Sequence, residues 1–240
     1  DCIAYDISLG CSGFVYGIYS LGSIMSTSSI RRALLMVGDT SGRIQMKSDF
    51  YSSTDVGKLL FGDAAAAAIL ESDETAKDIR GAFRTDGNGY KAIISPYRHY
   101  RHPEGKFGTL MDGVEVFNFT INEVPALIKE FMANSNTTTD DYDCLVLHQA
   151  NLYIMKQVAK RTGFPLDKML VSIDEYANTS SASIPTALTK YYGKETTGKK
   201  LKALMCGFGV GLSWGIISAE IDTNDILPLT QTNDYFDDGM

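Results

Sequence analysis

Short unbroken apolar runs alternate along this chain with helix-length segments of spaced apolar residues, and this alternation limits the possible folds more than any other feature. Residues 2–7 form the first run, Ser8-Leu9-Gly10 breaks it, and residues 13–25 carry Phe14, Ile18, Leu21 and Met25 at helical spacing. Residues 33–37 (Ala-Leu-Leu-Met-Val) read as a strand buried on both faces, since no polar residue interrupts them. Phe61-Gly62-Asp63 leads into a further strand over 64–70, whose alanines permit close packing. Beyond it the pattern predicts helices over 114–134, 152–162 and 183–192, with strands over 144–147, 169–173, 202–206 and 212–221. Strands and helices in this order build α/β layers on parallel or mixed sheets. The stretch 87–109, rich in Gly, Tyr, His, Arg and Pro, reads as a surface excursion. It divides the chain into halves 1–105 and 106–222, followed by an acidic tail over 223–240.

The halves look alike. The strand, turn and helix around Cys11 recur around Asn178, and the strands at 35–38 and 61–70 have counterparts at 203–207 and 212–219. Such a repeat would bring two strand-to-helix corners to one site. A length of 240 residues allows a large core, and 44% hydrophobic with 21% charged residues is ordinary for a globular protein. The net charge of -7 argues against a nucleic-acid coat. Cys2, Cys11, Cys144 and Cys206 are too scattered for a disulfide scaffold and include no CxxC pair, so reduced thiols and no metal are expected. No apolar run approaches the roughly 18 residues that span a bilayer, and the first residues lack the basic start of a signal peptide. The expectation is a soluble, cytoplasmic protein without membrane contact. Because the chain opens at Asp1 inside an apparent core strand, it is expected to belong to a longer protein.

Three residues stand where chemistry could occur. Cys11, in Gly10-Cys11-Ser12-Gly13-Phe14, lies between a strand and a helix, where the helix dipole and free backbone N–H groups favour a thiolate. A buried structural cysteine is the alternative. His148 ends the apolar run Leu145-Val146-Leu147, the strand end where α/β proteins bind ligands, although a histidine there can also be structural. Asn178 begins Asn-Thr-Ser-Ser-Ala-Ser, a corner where helix capping is the simpler role. His99 and His102 read as surface residues of the excursion.

Five motifs in order cover nearly the whole chain: Gly-Cys-Ser-Gly-Phe at Cys11, Phe61-Gly62-Asp63, His-Gln-Ala-Asn at His148, Asn-Thr-Ser-Ser-Ala-Ser-Ile-Pro at Asn178, and the Gly207–Gly215 stretch Gly-Phe-Gly-Val-Gly-Leu-Ser-Trp-Gly. Together they resemble the β-ketoacyl-acyl-carrier-protein synthase III family. The resemblance implies the thiolase fold, an α/β architecture of two similar halves in five alternating layers, with the first half truncated here. It further implies a Cys11 nucleophile that takes an acyl group from a coenzyme A or carrier-protein thioester. Malonyl-acyl-carrier protein would then lose carbon dioxide and attack, with neutral His148 and the Asn178 amide donating to the thioester oxygen. The backbone N–H groups of Cys11 and Val210 would form the oxyanion hole of acyl transfer. By position, Gly113, Phe117, Asn151, Gly209 and Gly211 would contact substrate, and Lys160 and Arg161 would dock the carrier protein. Those two cations equally suit a solvated helix face. The resemblance also implies a homodimer and no cofactor beyond the thioester substrates.

Two positions depart from the family pattern, Tyr153 where relatives often have Arg, and Val56 with Lys58 ahead of Phe-Gly-Asp. Arg binds phosphate and stacks on adenine better than these side chains, so a carrier-protein donor gains weight. A degradative thiolase would use a second cysteine in the glycine-rich corner, where this chain offers only Cys206 ahead of it. A type III polyketide synthase shares the three residue types and would extend repeatedly. An inactive partner or scaffold subunit would have no use for the intact set.

Overall fold

The computed structural model describes residues 2–40, 60–94 and 110–232. Residues 2–9 run without regular structure into a 3-10 turn at Gly10–Ser12, which passes directly into α1 (Gly13–Ser26). The strands β1 (Arg32–Asp39) and β2 (Ala64–Glu71) pair antiparallel, with Arg32 opposite Glu71 and Asp39 opposite Ala64. Next come β3 (Arg80–Thr85), the short pair β4 (Ile93–Ile94) and β5 (Leu110–Met111), and α2 (Gly113–Asn134). The chain continues through β6 (Cys144–Leu147), α3 (Leu152–Thr162) and the single-turn α4 (Ile173–Tyr176). A second 3-10 turn, Ser180–Ala182, then enters α5 (Ser183–Tyr192), followed by β7 (Lys200–Gly209) and β8 (Ser213–Asp222).

The main sheet has the order β3-β8-β7-β6, with β6 and β7 parallel and the other pairs antiparallel. Period-two alternation sorts its side chains. Leu145, Leu147, Leu204, Cys206 and Phe208 pack with Phe131 of α2 and Val158 of α3, whereas Cys144, Val146, Ala203 and Met205 pack with Val15 of α1 and Ile184 of α5. Both faces are covered, which is why β6 and β7 are continuous apolar runs. The α1/α5 layer also buries Leu35, Val37, Ala68 and Leu70 on one face of the β1–β2 pair. The described residues therefore stack four layers: helices, sheet, helices, sheet. The internal repeat is visible as two antiparallel pairs, β1–β2 and β7–β8, and two 3-10 turns that each open a helix.

Several elements differ from the sequence expectation. Residues 2–7 form no strand, because no described strand pairs with them, and Ile3 and Tyr5 are exposed. β1 is buried on one face only. Its Leu34 and Met36, with Ile69 opposite Leu34, point away from α1 and are 54%, 75% and 74% exposed, since no described element lies on that side. The expected strand over 169–173 is reduced to one bridge between Leu145 and Met169, after which Ile173 already turns into α4. β3 is an addition. It precedes the expected boundary at residue 105 yet pairs with β8, so the half containing His148 and Asn178 takes a strand from the other side of the boundary. Its only large apolar residue, Phe83, packs against Tyr16 and Tyr19 of α1. Val56, Lys58, His99, His102, most of the excursion and the end of the acidic tail lie outside the described residues.

Candidate active site

Cys11 sits in the first 3-10 turn, at the mouth of α1 and half-buried. The turn is pressed onto the end of β7. A Cβ on Gly209 would stand 2.8 Å from the Cys11 Cβ and 3.3 Å from its Sγ, so only glycine leaves the thiol its seat. Ser12, fully buried, joins the two corners through its hydroxyl, 2.7 Å from Ser213 Oγ, and Ser213 in turn donates to the Val210 carbonyl at 2.7 Å.

His148 follows the last rung of β6 and extends it, its N–H donating to the Cys206 carbonyl at 2.8 Å. The imidazole is 2% exposed, lies edge-on to Phe208 at 5.3 Å between centroids, and places Nδ1 2.8 Å from Ser183 Oγ. Gln149 locks this strand end to the next corner. Its Nε2 donates to the Leu147 and Leu170 carbonyls, and its Oε1 accepts from Ser172 N–H and Ile173 N–H. Both polar atoms of this buried amide are thus satisfied, and three of its four bonds hold the His148 strand end against residues 170–173, which lead to Asn178.

Asn178 is held from both sides. Its N–H donates to the Leu60 carbonyl at 2.8 Å and its own carbonyl accepts from Gly62 N–H at 3.0 Å, tying this corner to the Phe61-Gly62-Asp63 segment. A Cβ on Gly62 would fall 2.1 Å from the Tyr176 carbonyl oxygen, so the motif's glycine is required by this close approach. Asn178 Oδ1 accepts from Ser180 N–H at 2.9 Å, so the Nδ2 hydrogens are not spent on that bond.

Ser180 is the residue the sequence reading missed. Its Oγ lies 3.7 Å from Cys11 Sγ, its N–H binds Asn178, and its carbonyl oxygen lies 2.7 Å from Ser183 Oγ, which in turn touches His148. Its φ of 51° holds it in the left-handed region, so the turn is shaped to aim these groups. Thiol, imidazole and carboxamide therefore meet around a single serine.

The electrostatics correct one expectation. Burial pushes the Cys11 thiol up to about 11, the Ser180 hydroxyl pulls it down by less, and the Asp39 carboxylate adds to the rise. The helix mouth does not yield a resting thiolate, because losing solvent costs the anion more than the turn returns. Burial also pushes His148 down to about 4, against a smaller opposing contact with the Ser180 backbone, so the ring is neutral at pH 7.

Gly113, Phe117 and Asn151 line an open cleft of about 440 Å³ with Val114, Tyr153 and Ile154, and Phe117 stacks on Tyr153 at 6.0 Å. Asn151 also caps α3, its Oδ1 accepting from Tyr153 N–H and Ile154 N–H. Gly211, at φ 133°, forms the corner between β7 and β8 beside Val210. Lys160 and Arg161 are exposed on the last turn of α3, about 14 Å along the helix from Asn151, and Arg161 donates to Asn122. Among the described residues, no group of three or more His, Cys, Asp or Glu could hold a metal ion. Among them, too, no helix is long and apolar enough to cross a membrane.

Known proteins resemble this chain in sequence and in fold. The model of 3-oxoacyl-(acyl-carrier-protein) synthase III matches residues 5–87, and that of the C-terminal part of the same synthase matches residues 132–221. The β-ketoacyl-(acyl-carrier-protein) synthase III of Acaryochloris marina is 35% identical, covering 89% of this chain and 65% of the relative. That of Porphyra umbilicalis is 32% identical, covering 89% of this chain and 67% of the relative. The chain thus spans about two thirds of the length of these curated relatives. Among solved structures, a 3-oxoacyl-(acyl-carrier protein) synthase from Burkholderia xenovorans superposes with a TM-score of 0.85 at 33% identity, over 95% of this chain and 66% of that one. The layers described above are those of the thiolase fold, and the chain belongs to the β-ketoacyl-acyl-carrier-protein synthase III family.

Proposed function

We propose that this chain carries the condensing centre of a β-ketoacyl-acyl-carrier-protein synthase III, joining a Cys11-bound acyl group to malonyl-acyl-carrier protein with loss of carbon dioxide. The observation that supports it most is the convergence of Cys11, His148 and Asn178 on Ser180. In the first stage the Cys11 sulfur attacks an acyl thioester and the proton it gives up passes to the departing sulfur, which leaves as a free thiol, with the Cys11 and Val210 N–H groups steadying the oxyanion. In the second, the malonyl carboxylate leaves as carbon dioxide and the electron pair passes into the thioester as an enolate. Neutral His148 and the Asn178 Nδ2 donate to its oxygen. The enolate carbon then forms a bond to the acyl carbon, and the Cys11 sulfur departs and recovers a proton.

Gly113, Phe117 and Asn151 suit the approach of a pantetheine arm, with Gly209 and Gly211 leaving room at its end. Lys160 and Arg161 suit an acidic carrier protein. No cofactor is required, the thioesters being substrates. We propose further that the protein acts in the cytoplasm as a homodimer. The test is mass measurement after incubation with acyl thioesters: Cys11→Ala should take no acyl group, and acylation surviving that change would end the proposal. His148→Ala should acylate yet fail to decarboxylate malonyl thioester.

A further inference from the structure

The Ser183 hydroxyl has one hydrogen and two neighbours able to accept it, the Ser180 carbonyl at 2.7 Å and His148 Nδ1 at 2.8 Å. The choice cannot be made independently of the imidazole. If the hydrogen goes to Ser180, Nδ1 must itself carry a hydrogen and donate to Ser183 Oγ, leaving Nε2 bare. If it goes to Nδ1, that nitrogen is the acceptor and the neutral ring bears its hydrogen on Nε2. Ser183 is fully buried, as is the ring it faces, so no solvent relaxes this constraint.

We propose that Ser183 is a positioning residue that sets the tautomer of His148, its hydroxyl hydrogen directed to Nδ1 so that Nε2–H is presented to the substrate oxygen. The inference rests on the donor role given to His148 above. Two features of the corner favour this arrangement. The Ser180 carbonyl already accepts the backbone N–H of Ser183, so it keeps a partner when the hydroxyl turns away. A bare Nδ1 then finds its donor in this hydroxyl, so one arrangement gives the ring nitrogen, the hydroxyl and the carbonyl a partner each. Gln149 N–H points at the Ser183 oxygen from 3.4 Å and occupies one of its lone pairs, which further steers the hydroxyl hydrogen away from that side. In the order of the chain, Ser183 opens α5 and His148 ends β6, so the contact couples the two corners of this half.

The test is nitrogen NMR of the chain with isotopically labelled histidine, the His148 signals being identified among three histidines by their loss in His148→Gln. At neutral pH the parent should show an unprotonated Nδ1 and a protonated Nε2. Ser183→Ala removes the hydroxyl donor to Nδ1, so the hydrogen should move to Nδ1, the remaining Ser180 backbone contact favouring a protonated ring nitrogen. Ser183→Thr keeps the hydroxyl and should restore the parent pattern, an outcome that a purely steric role for Ser183 would not give. Malonyl-thioester decarboxylation should fall about a hundredfold in Ser183→Ala, the usual loss for one donor of this kind, while Cys11 still acylates. A protonated Nδ1 in the parent, or a tautomer unchanged in Ser183→Ala, would overturn the inference. If His148→Ala decarboxylates normally, the donor role of His148 falls. If His148→Ala fails and Ser183→Ala does not, only the tautomer assignment falls.

Discussion

Cys11 Sγ lies 3.7 Å from Ser180 Oγ although 169 residues separate them, and this contact brings the nucleophile of one half of the repeat against the turn of the other. The hydroxyl opposes the dominant effect of burial, which holds the thiol protonated up to about pH 11. Removing it should therefore push the thiol higher still. Ser180→Ala isolates the hydroxyl, because alanine meets the same backbone strain at φ 51° that serine already carries. At any fixed pH below the thiol's transition, alkylation of Cys11 should slow, and the profile of rate against pH should move to higher pH. An unmoved profile would show that the contact does nothing for the thiolate.

A second expectation concerns acid. His148 is held neutral by burial, about 4 in the folded chain against 6.5 when unfolded. In that interval the unfolded chain binds the extra proton and the folded chain does not. The corresponding stability is complete above pH 6.5 and is lost as pH falls through about 4. Its size is on the order of 3 kcal/mol. Urea titrations across this range should show the midpoint falling with acid, and His148→Gln should flatten that fall. An equal slope in the variant would place the acid sensitivity elsewhere.

What the sequence made legible were the residues whose positions follow from local pattern. Cys11 and Asn178 stand at the turns that open α1 and α5, and His148 at a strand end, where the apolar runs stop. Ser180 was hidden among Thr179, Ser181 and Ser183, since nothing in that run tells which hydroxyl turns toward the thiol. That depends on a left-handed φ and on a bond from Asn178. The sign of the Cys11 shift was misjudged for a related reason: a helix mouth can be read from residue order, but the depth to which Gly207 and Gly209 let the turn sink cannot. β1 shows the same limit, because Leu34 and Met36 would read identically whether or not anything covered their face. β3 escaped notice because Arg80-Gly-Ala-Phe-Arg-Thr owes its strand to pairing with β8 rather than to its own alternation.

Gly209 offers the sharpest separation of function from stability. Alanine there would place its Cβ within 2.8 Å of the Cys11 Cβ, closer than side chains tolerate. Since Cys11 sits in a short turn rather than in the sheet, the turn should yield before β7 does. Overpacking of this kind costs about 1–3 kcal/mol, and a displaced nucleophile costs far more in rate than in stability. Gly209→Ala should keep a cooperative thermal transition while acylation by acyl thioester drops about a hundredfold. Unchanged acylation, read by mass, would mean that the thiol does not depend on this contact.

The bridge between Ser12 and Ser213 makes the last case, because it ties the nucleophile's turn to the corner holding Val210. Ser213 donates to the Val210 carbonyl, so the hydrogen between the two hydroxyls has to come from Ser12, which otherwise has only the Leu9 carbonyl at 3.1 Å. Ser12→Ala breaks the bridging hydrogen bond and should cost about 1 kcal/mol, whereas Ser213→Ala breaks both the bridge and the bond to the Val210 carbonyl and should cost about 2 kcal/mol. The double variant should cost less than the two single losses added together, because both remove the same bond. If the bridge positions the Val210 N–H relative to Cys11, each change should slow acylation on the order of tenfold while leaving malonyl decarboxylation nearly intact, since that step uses His148 and Asn178 instead. Decarboxylation falling in step with acylation would mean that the two serines support the whole site, and that the corner at Val210 has no separate part in the first stage.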